Sequence, residues 1–134
     1  MKTPVLKVRP FLMFDGNAEE AMNSYISLIP GSEVIDIIRY GKSGAGVEGS
    51  VMKATFSLGG QTVMCIDSVM KHNFTFTPAI SFFVTCETEQ EIQWLSSKLS
   101  AGGAELMPLG DYGFSRQFAW VTDRFGISWQ LNLE

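Results

Sequence analysis

The stretch NAEEAMNSYISLIPG (residues 17–31) and its later counterpart TEQEIQWLSSKLSAG (residues 88–102) decide the fold. Each begins with a helix-capping residue, Asn17 or Thr88, and carries a glutamate three positions later, which is the pattern of a capping box. Apolar residues then recur at helical spacing until a glycine ends the run, and the interval from cap to glycine is 14 residues in both (17 to 31, 88 to 102). The sequence therefore predicts two helices that are copies of one duplicated unit.

Each predicted helix follows one apolar strand and precedes three more. In chain order the predicted strands are Val5–Phe14, Glu33–Tyr40, Met52–Leu58, Thr62–Ile66, Ile80–Cys86, Ala104–Met107, Gln117–Thr122 and Ile127–Leu133. A Gly59-Gly60 pair predicts a tight hairpin turn between the third and fourth strands. The order β-α-β-β-β thus occurs twice, in repeats of about 1–70 and 79–134, with a linker at Lys71–Pro78.

Two such repeats predict a single α+β domain over residues 1–134. Each helix is expected to cover one face of its own sheet, because a sheet needs one apolar face buried. The two sheets would curl their other faces around a central cavity. An enclosed concave face suits a small-molecule ligand.

Composition narrows the class of protein. The chain has 134 residues, a net charge of -4 and scattered basic residues, which argues against a nucleic-acid groove. It has no apolar run long enough to cross a membrane, and its N-terminus, MKTPVLKVRP, lacks an apolar signal core. We therefore expect a cytoplasmic protein with no membrane partner. Cys65 and Cys86 lie in apolar strands and read as reduced core cysteines.

Three runs carry a resemblance to a known family: PFLMFDGNAEEAMNSY (residues 10–25), SLGGQTVMCIDS (57–68) and DYGFSRQFAWVTDRFGISWQLNL (111–133). They resemble the PhnB-like group of the glyoxalase-like, or vicinal oxygen chelate, superfamily, which often carries the label demethylubiquinone methyltransferase-like. The resemblance covers nearly the whole chain. It implies paired βαβββ modules (the glyoxalase/bleomycin-resistance/dioxygenase-like fold), assembly as a homodimer, and a cupped ligand site.

In metal-using members of that superfamily, four side chains from the first and last strands of each half bind a divalent metal. Carried onto this sequence, those positions fall on Pro10, on Met64 or Cys65, on Ala79 or Ser81, and on Gln130. Only Gln130 is a usual ligand type, and a divalent metal needs several converging oxygen or nitrogen ligands. The resemblance therefore implies a member that has lost the metal site and uses neither metal nor cofactor.

The methyltransferase label implies a methyl donor whose usual site is a glycine-rich turn between a strand and a helix of a parallel sheet. The sequence has two glycine-rich segments, Gly44-Ala45-Gly46 in a polar loop and Gly102-Gly103 at a helix end. Neither has that context. Methyltransferase activity is therefore not expected.

Strand alternation and the family register together suggest which side chains face the cavity. The predicted ligand-facing residues are Pro10, Leu12, Cys65, Asp67, Ser81 and Gln130, with Arg39, Tyr112 and Arg116 at the rim. A rim arginine would suit a carboxylate or phosphonate, and the alternative is that both arginines are ordinary surface residues. Asp67 could serve structure or chemistry, whereas Asp123 reads as a turn residue that accepts from its own backbone amides. No catalytic residue is assigned.

Two functions of different classes remain open at this point. The first is a metal-free protein that binds a small molecule. The second is an enzyme of lyase, isomerase or transferase type that acts on a small oxygenated substrate, with a metal recruited through Gln130, Cys65 and Asp67. A plain interaction domain whose dimer surface is its function is a third interpretation. The sequence favours the first, because the usual ligands are missing.

Overall fold

The computed structural model describes residues 6–134, and these form two compact units divided between Lys71 and His72. Val5, the first residue of the first predicted strand, lies outside the described residues, as do positions 1–4 of the predicted domain. Each unit has one helix and one four-stranded sheet. No helix within residues 6–134 is long and apolar enough to span a membrane.

The first unit consists of β1 (Phe11–Phe14), α1 (Ala18–Leu28), β2 (Glu33–Arg39), β3 (Val51–Leu58) and β4 (Gln61–Asp67). Its strands lie in the order β1-β4-β3-β2, with β1 parallel to β4 and the other neighbours antiparallel. The predicted hairpin between β3 and β4 is confirmed. Gly59 and Gly60 both have positive φ, 57° and 97°, as a tight two-residue turn requires.

The second unit repeats this arrangement with β5 (Ser81–Thr85), α2 (Glu89–Ser100), β6 (Ala104–Gly110), β7 (Gln117–Thr122) and β8 (Ser128–Leu133). Its order is β5-β8-β7-β6, again with the first strand parallel to the last. The predicted α+β class and the duplicated βαβββ module are therefore confirmed.

Each helix packs its apolar side on one face of its own sheet. The fully or nearly fully buried helix residues are Ala18, Ala21, Met22 and Tyr25 in α1, and Ile92, Leu95, Ser96 and Leu99 in α2. They recur every three or four positions and so form one stripe. The sheet residues beneath them are buried at every second position, as in Val63 and Cys65 of β4 and Trp129 and Leu131 of β8. The other face of each sheet is not covered by its helix, and we call it the open face.

The two helices begin differently, although the sequence predicts the same capping box for both. Thr88 Oγ1 accepts from the Glu91 amide at 3.1 Å, and Glu91 Oε1 accepts from the Glu87 amide at 2.6 Å. Among the described residues, Asn17 makes no side-chain capping hydrogen bond. The Thr88 cap is thus confirmed at α2, although Glu91 accepts from the amide of Glu87, one residue before the cap, and not from that of Thr88. The Asn17 cap predicted at α1 is wrong, and a residue distant in sequence replaces it.

Both sheets are open and end in two edge strands each, β1 and β2 in one and β5 and β6 in the other. Neither sheet closes on itself, and the curling of the two sheets around a central cavity is not tested by the description of the separate units. A ligand cavity stays a prediction. The surfaces on which it depends are the two open faces.

Candidate functional site

The helix-covered face of the first sheet contains three of the residues that the sequence placed toward a ligand. Leu12 is paired with Cys65 in parallel register, and Phe14 is paired with Asp67. Cys65 is fully buried and Asp67 is 3% exposed, because α1 packs over this face. Cys65 and Asp67 therefore belong to the interior of the first unit, which does not fit a ligand-facing position, whereas Leu12 shares their face but is only half-buried.

Asp67 caps the start of α1, where the sequence predicts a local cap from Asn17. Its Oδ1 accepts from the backbone amides of Gly16 at 3.0 Å and Ala18 at 2.9 Å, and its Oδ2 accepts from the Val51 amide at 2.9 Å. A carboxylate at a helix N-terminus satisfies amides that have no partner within the helix and interacts favourably with the helix dipole. Asp67 thus connects α1, β3 and β4, which is a structural role.

The two cysteine thiols are held in their protonated form. Burial, and secondarily the charge of Asp67, raises the pKa of Cys65 from 9.0 to about 12. Burial and the charge of Glu91 raise the pKa of Cys86 to about 11, against a lowering contribution from its hydrogen bond with the Asn132 backbone. Because the thiolate is the nucleophile and the metal ligand, neither cysteine is prepared for either role at neutral pH.

The predicted rim arginines are occupied by partners within their own units. Arg39 donates from Nε and Nη2 to the two carboxylate oxygens of Glu19 at 3.2 and 2.6 Å, and this hydrogen bond and charge raise the pKa of Arg39. Arg116 donates from Nε and Nη2 to the backbone oxygen of Glu134 at 3.2 and 2.9 Å. Both guanidinium groups are exposed. Their interpretation as surface residues fits these contacts better than recognition of a carboxylate.

Two further predicted residues lie at the ends of strands or in loops. The backbone oxygen of Pro10 accepts from the Met64 amide at 2.9 Å, which extends the pairing of β1 with β4 by one residue. Tyr112 lies in the loop between β6 and β7 and donates its hydroxyl to the Pro108 carbonyl. Its ring contacts Phe114 and Phe118, at centroid distances of 6.3 Å each.

Ser81 and Gln130, the last two predicted residues, lie together on the open face of the second sheet. Gln130 Nε2 donates to Ser81 Oγ at 3.3 Å. In the sheet register Gln130 lies between Phe83 of β5 and Trp120 of β7. A flexible amide is thereby flanked by two aromatic side chains on the same face.

A hydrogen-bonded chain continues from Ser81 into the sheet. Ser81 Oγ and Ser128 Oγ are 2.6 Å apart, and Trp120 Nε1 donates to Ser128 Oγ at 2.8 Å. Two positions after Gln130 on β8, Asn132 Oδ1 accepts from the Ser115 hydroxyl. We call Ser81, Ser115, Trp120, Ser128, Gln130 and Asn132 the polar row.

Sequence reasoning selected only two members of the polar row. The alternation of β8 places Ser128, Gln130 and Asn132 on one face, so two more members could have been chosen from the sequence. Trp120 and Ser115 require the cross-strand register, which the sequence does not contain. Phe114 and Phe118 extend the row with an edge-to-face aromatic pair at 5.0 Å.

The superfamily's metal does not fit the side chains at the corresponding positions. Within residues 6–134 no three His, Cys, Asp or Glu side chains come together as a metal site. Pro10 has no donor atom, Cys65 is a buried thiol with a pKa of about 12, and Ser81 Oγ already has two partners in the polar row. Gln130 is then the single usual ligand among these side chains, which is too few for a divalent ion.

The sequence model of the family described as 3-demethylubiquinone-9 3-methyltransferase matches residues 6–132. The chain belongs to this family. The glycine segments do not fit a methyl donor of the common type, since Gly44 to Gly46 lie in a loop after β2, and Gly102 and Gly103 follow α2. The word methyltransferase is therefore used for the family alone, and no methyl-transfer step is derived from it.

Solved structures support the same membership. One is described as "Putative 3-demethylubiquinone-9 3-methyltransferase, PhnB protein" from Bacillus cereus. It is 57% identical, with a TM-score of 0.94 over 96% of this chain and all (100%) of that one. The protein PA1353 from Pseudomonas aeruginosa is 27% identical, with a TM-score of 0.82 over 97% and 98% of the two chains.

A more distant structure shows the fold alone. The glyoxylase/bleomycin resistance protein/dioxygenase domain from Frankia sp. EAN1pec is 13% identical, with a TM-score of 0.64 over 98% of this chain and 93% of that one. The family model and the Bacillus cereus structure confirm the resemblance to the PhnB-like group, and the Frankia structure confirms the predicted fold.

Proposed function

We propose that the protein binds a small molecule, without a metal, on the open face of the second sheet. The observation that carries this proposal is the polar row. It places hydroxyl and amide groups beside exposed aromatic rings, which is the usual composition of a small-molecule site: apolar walls with a few fixed polar groups. Phe83, next to Gln130 in the register, is 60% exposed in the isolated chain and has much apolar surface left for a ligand to cover.

The enzymatic alternative has less support from the contacts of its proposed residues. Asp67 uses both carboxylate oxygens on backbone amides, and Cys65 is buried and protonated. A metal recruited through these two and Gln130 would have to displace those interactions. Assembly as a homodimer in the cytoplasm belongs to the proposal, and sedimentation equilibrium tests the assembly: a mass of 14.8 kDa at working concentrations would contradict the dimer.

The proposal is tested by thermal-shift titration of metal-stripped protein against a panel of neutral aromatic ketones and quinones, small carboxylates, phosphonates and antibiotics. A ligand that binds only the folded chain raises its apparent stability by about 2.7 kcal/mol at a hundredfold excess over the dissociation constant. We expect at least one panel member to stabilise the protein without added metal. Stabilisation that appears only with a divalent metal would contradict the proposal.

Matched variants locate the site. Ser81→Ala and Gln130→Ala should each weaken the hit about fivefold to tenfold, since each removes one hydrogen-bonding group worth roughly 1 kcal/mol. Ser97→Ala and Gln93→Ala make the same chemical changes at exposed positions of α2 and should leave the affinity unchanged. Equal effects of the two pairs would place the ligand elsewhere.

A further inference from the structure

The direction of the hydrogen bonds in the polar row follows from burial. Ser128 is 1% exposed, and within the described residues its hydroxyl meets only Trp120 Nε1 and Ser81 Oγ. An indole N–H can only donate, so the Ser128 proton has a single acceptor, Ser81 Oγ. A buried hydroxyl seldom leaves its proton unpaired. Ser128 therefore donates to Ser81.

This direction leaves the Ser81 hydroxyl with a free proton. Ser81 Oγ accepts from Ser128 and from Gln130 Nε2, which occupies both of its lone pairs. Its own O–H then has no acceptor among residues 6–134 and, since Ser81 is only half-buried, can reach a ligand. If the Gln130 amide has the opposite orientation, its Oε1 accepts the Ser81 proton and its N–H groups point outward. Either orientation presents a donor at this point.

A second donor lies two residues along β8. Asn132 uses Oδ1 to accept from Ser115, and its Nδ2 has no partner in the described part of the chain. Residues two apart on a strand are separated by about 7 Å and point to the same side. The open face thus presents two donor positions in a line, with Phe83 and Trp120 beside the first and Phe118 beside the second.

Three of the four strands contribute no charged residue to this face. The residues that β5, β8 and β7 contribute to it are Ser81, Phe83, Thr85, Ser128, Gln130, Asn132, Phe118, Trp120 and Thr122. The nearby Arg116 is engaged by the Glu134 backbone oxygen. The open face of the first sheet differs, because Lys53 and Asp36 contribute charges there. A carboxylate bound on the second face would lose its hydration without gaining a cationic partner.

From these observations we infer that the ligand is an uncharged aromatic molecule that bears carbonyl or ether oxygens, recognised by the donors at Ser81 or Gln130 and at Asn132. This inference rests on the proposed function and names the class of ligand. It replaces the sequence-based expectation of a carboxylate or phosphonate held by a rim arginine. The rings supply apolar contact, and the donors select an acceptor oxygen.

Three probes of similar shape separate the effect of ligand charge from that of an acceptor oxygen. They are 2-acetonaphthone, a neutral ketone; 2-naphthoate, an anion; and 2-ethylnaphthalene, which has no acceptor. The ketone should bind at least tenfold more tightly than the carboxylate. It should bind about fivefold more tightly than the hydrocarbon, as one net hydrogen bond of roughly 1 kcal/mol predicts. Ser81→Ala and Gln130→Ala should lower the affinity for the ketone and leave that for ethylnaphthalene nearly unchanged.

The indole N–H resonances in a proton–nitrogen correlation spectrum report the position of the probe. Trp120 donates to Ser128 within the polar row, so its resonance should shift when the ketone binds. Trp129 Nε1 donates to Asp123 at 2.9 Å on the helix-covered side, and Trp94 lies exposed on α2, so both serve as internal controls.

Two outcomes would overturn the inference in distinguishable ways. Naphthoate that binds as tightly as the ketone and shifts Trp120 would refute the neutral class, while the site of the proposed function stands. A ketone that leaves Trp120 unshifted at saturating concentration would also refute the class. In that case the wider panel alone decides whether any small molecule binds.

Discussion

Each unit contains one buried aspartate that accepts from three N–H donors, and the two differ in how far away those donors are. Asp67, 3% exposed, accepts from Gly16, Ala18 and Val51, which are 51, 49 and 16 positions away. Asp123, 6% exposed, accepts from Phe125, Ile127 and the Trp129 indole, which are two, four and six positions away.

A buried carboxylate that accepts from N–H donors therefore has a different structural role in each unit. Asp123 organises a turn that local sequence already favours, because an aspartate readily accepts from amides that follow it. Asp67 joins a helix and two strands that meet only when the first unit has folded. The start of the helix differs in the same way. The first unit caps α1 through the long-range contact of Asp67, whereas the second unit caps α2 locally through Thr88 and Glu91.

The largest effect should come from removal of the Asp67 carboxylate. Asp67→Ala leaves three backbone amides without their charged acceptor, and we expect a loss of about 3–5 kcal/mol in the free energy of unfolding. Urea denaturation measures it, and hydrogen exchange should show faster exchange in the first turn of α1. Should Asp67→Ala prevent folding, Asp67→Asn, which retains one acceptor oxygen, gives a smaller loss in the same direction.

The matched variant in the second unit is Asp123→Ala. The turn keeps the backbone hydrogen bonds of Asp123 with Ile127 and Gly126, so the loss should be smaller, about 2–3 kcal/mol. It should come mainly from the buried Trp129 indole. Increased exchange should stay within the β7–β8 hairpin. A larger loss for Asp123→Ala than for Asp67→Ala would contradict the long-range role assigned to Asp67.

The next pair of variants tests how much the capping residue of each helix contributes to stability. Thr88→Ala should cost about 1 kcal/mol, because the Thr88 hydroxyl oxygen accepts from the Glu91 amide. Asn17→Ala should cost less than about 0.5 kcal/mol, since the Asn17 side chain makes no capping bond within the described residues. Thermal unfolding of both variants beside the unaltered protein checks this pair. Equal losses of stability in the two variants would show that the Asn17 side chain does cap α1.

The last effect is absent at neutral pH, and it concerns the buried thiol of Cys65 in the first unit. Cys65 has a pKa of about 12 when folded and an ordinary value of 9.0, so the unfolded chain loses its proton first as pH rises. Folding stability is fully present below the ordinary value and falls as pH rises from there through the folded value, by up to about 1.4 kcal/mol per pH unit for one thiol.

Comparison of Cys65→Ala with the unaltered protein isolates that contribution. The variant is less stable at neutral pH because it leaves a small cavity, but its stability should fall less steeply between about pH 9 and about pH 11. Urea denaturation across that range measures the slopes, and Cys86 is common to both proteins. Identical slopes would contradict a buried, protonated Cys65.

The open faces of the two sheets also differ in charge. The first carries charges at Lys53 and Asp36, whereas the second carries the polar row and aromatic rings with no charge among its β5, β8 and β7 residues. Duplication preserved the backbone of the two units and left their surfaces free to differ. The function that we propose uses only the second.

The candidate site could be predicted in part from the sequence. Strand alternation implies that Leu12 shares a face with Phe14, and that Gln130 shares a face with Ser128 and Asn132, and the register agrees. It does not say which of the two faces of a strand a helix will cover. For that reason Leu12 was expected to face a ligand and instead shares the helix-covered face with Cys65 and Asp67, whereas Ser81 and Gln130 do meet on an open face.

The sequence by itself determined the α+β class, the duplicated βαβββ order, the β3–β4 turn and the cap of α2. All of these depend on residues close together in the chain, where propensity and spacing act. Only the tertiary structure decided that Asp67 caps α1, that Arg39 and Arg116 have partners of their own, and that Trp120, Ser128, Ser81 and Gln130 form one chain of hydrogen bonds. These contacts join residues on different elements, and their geometry depends on strand register and on which face each helix covers, neither of which local sequence specifies.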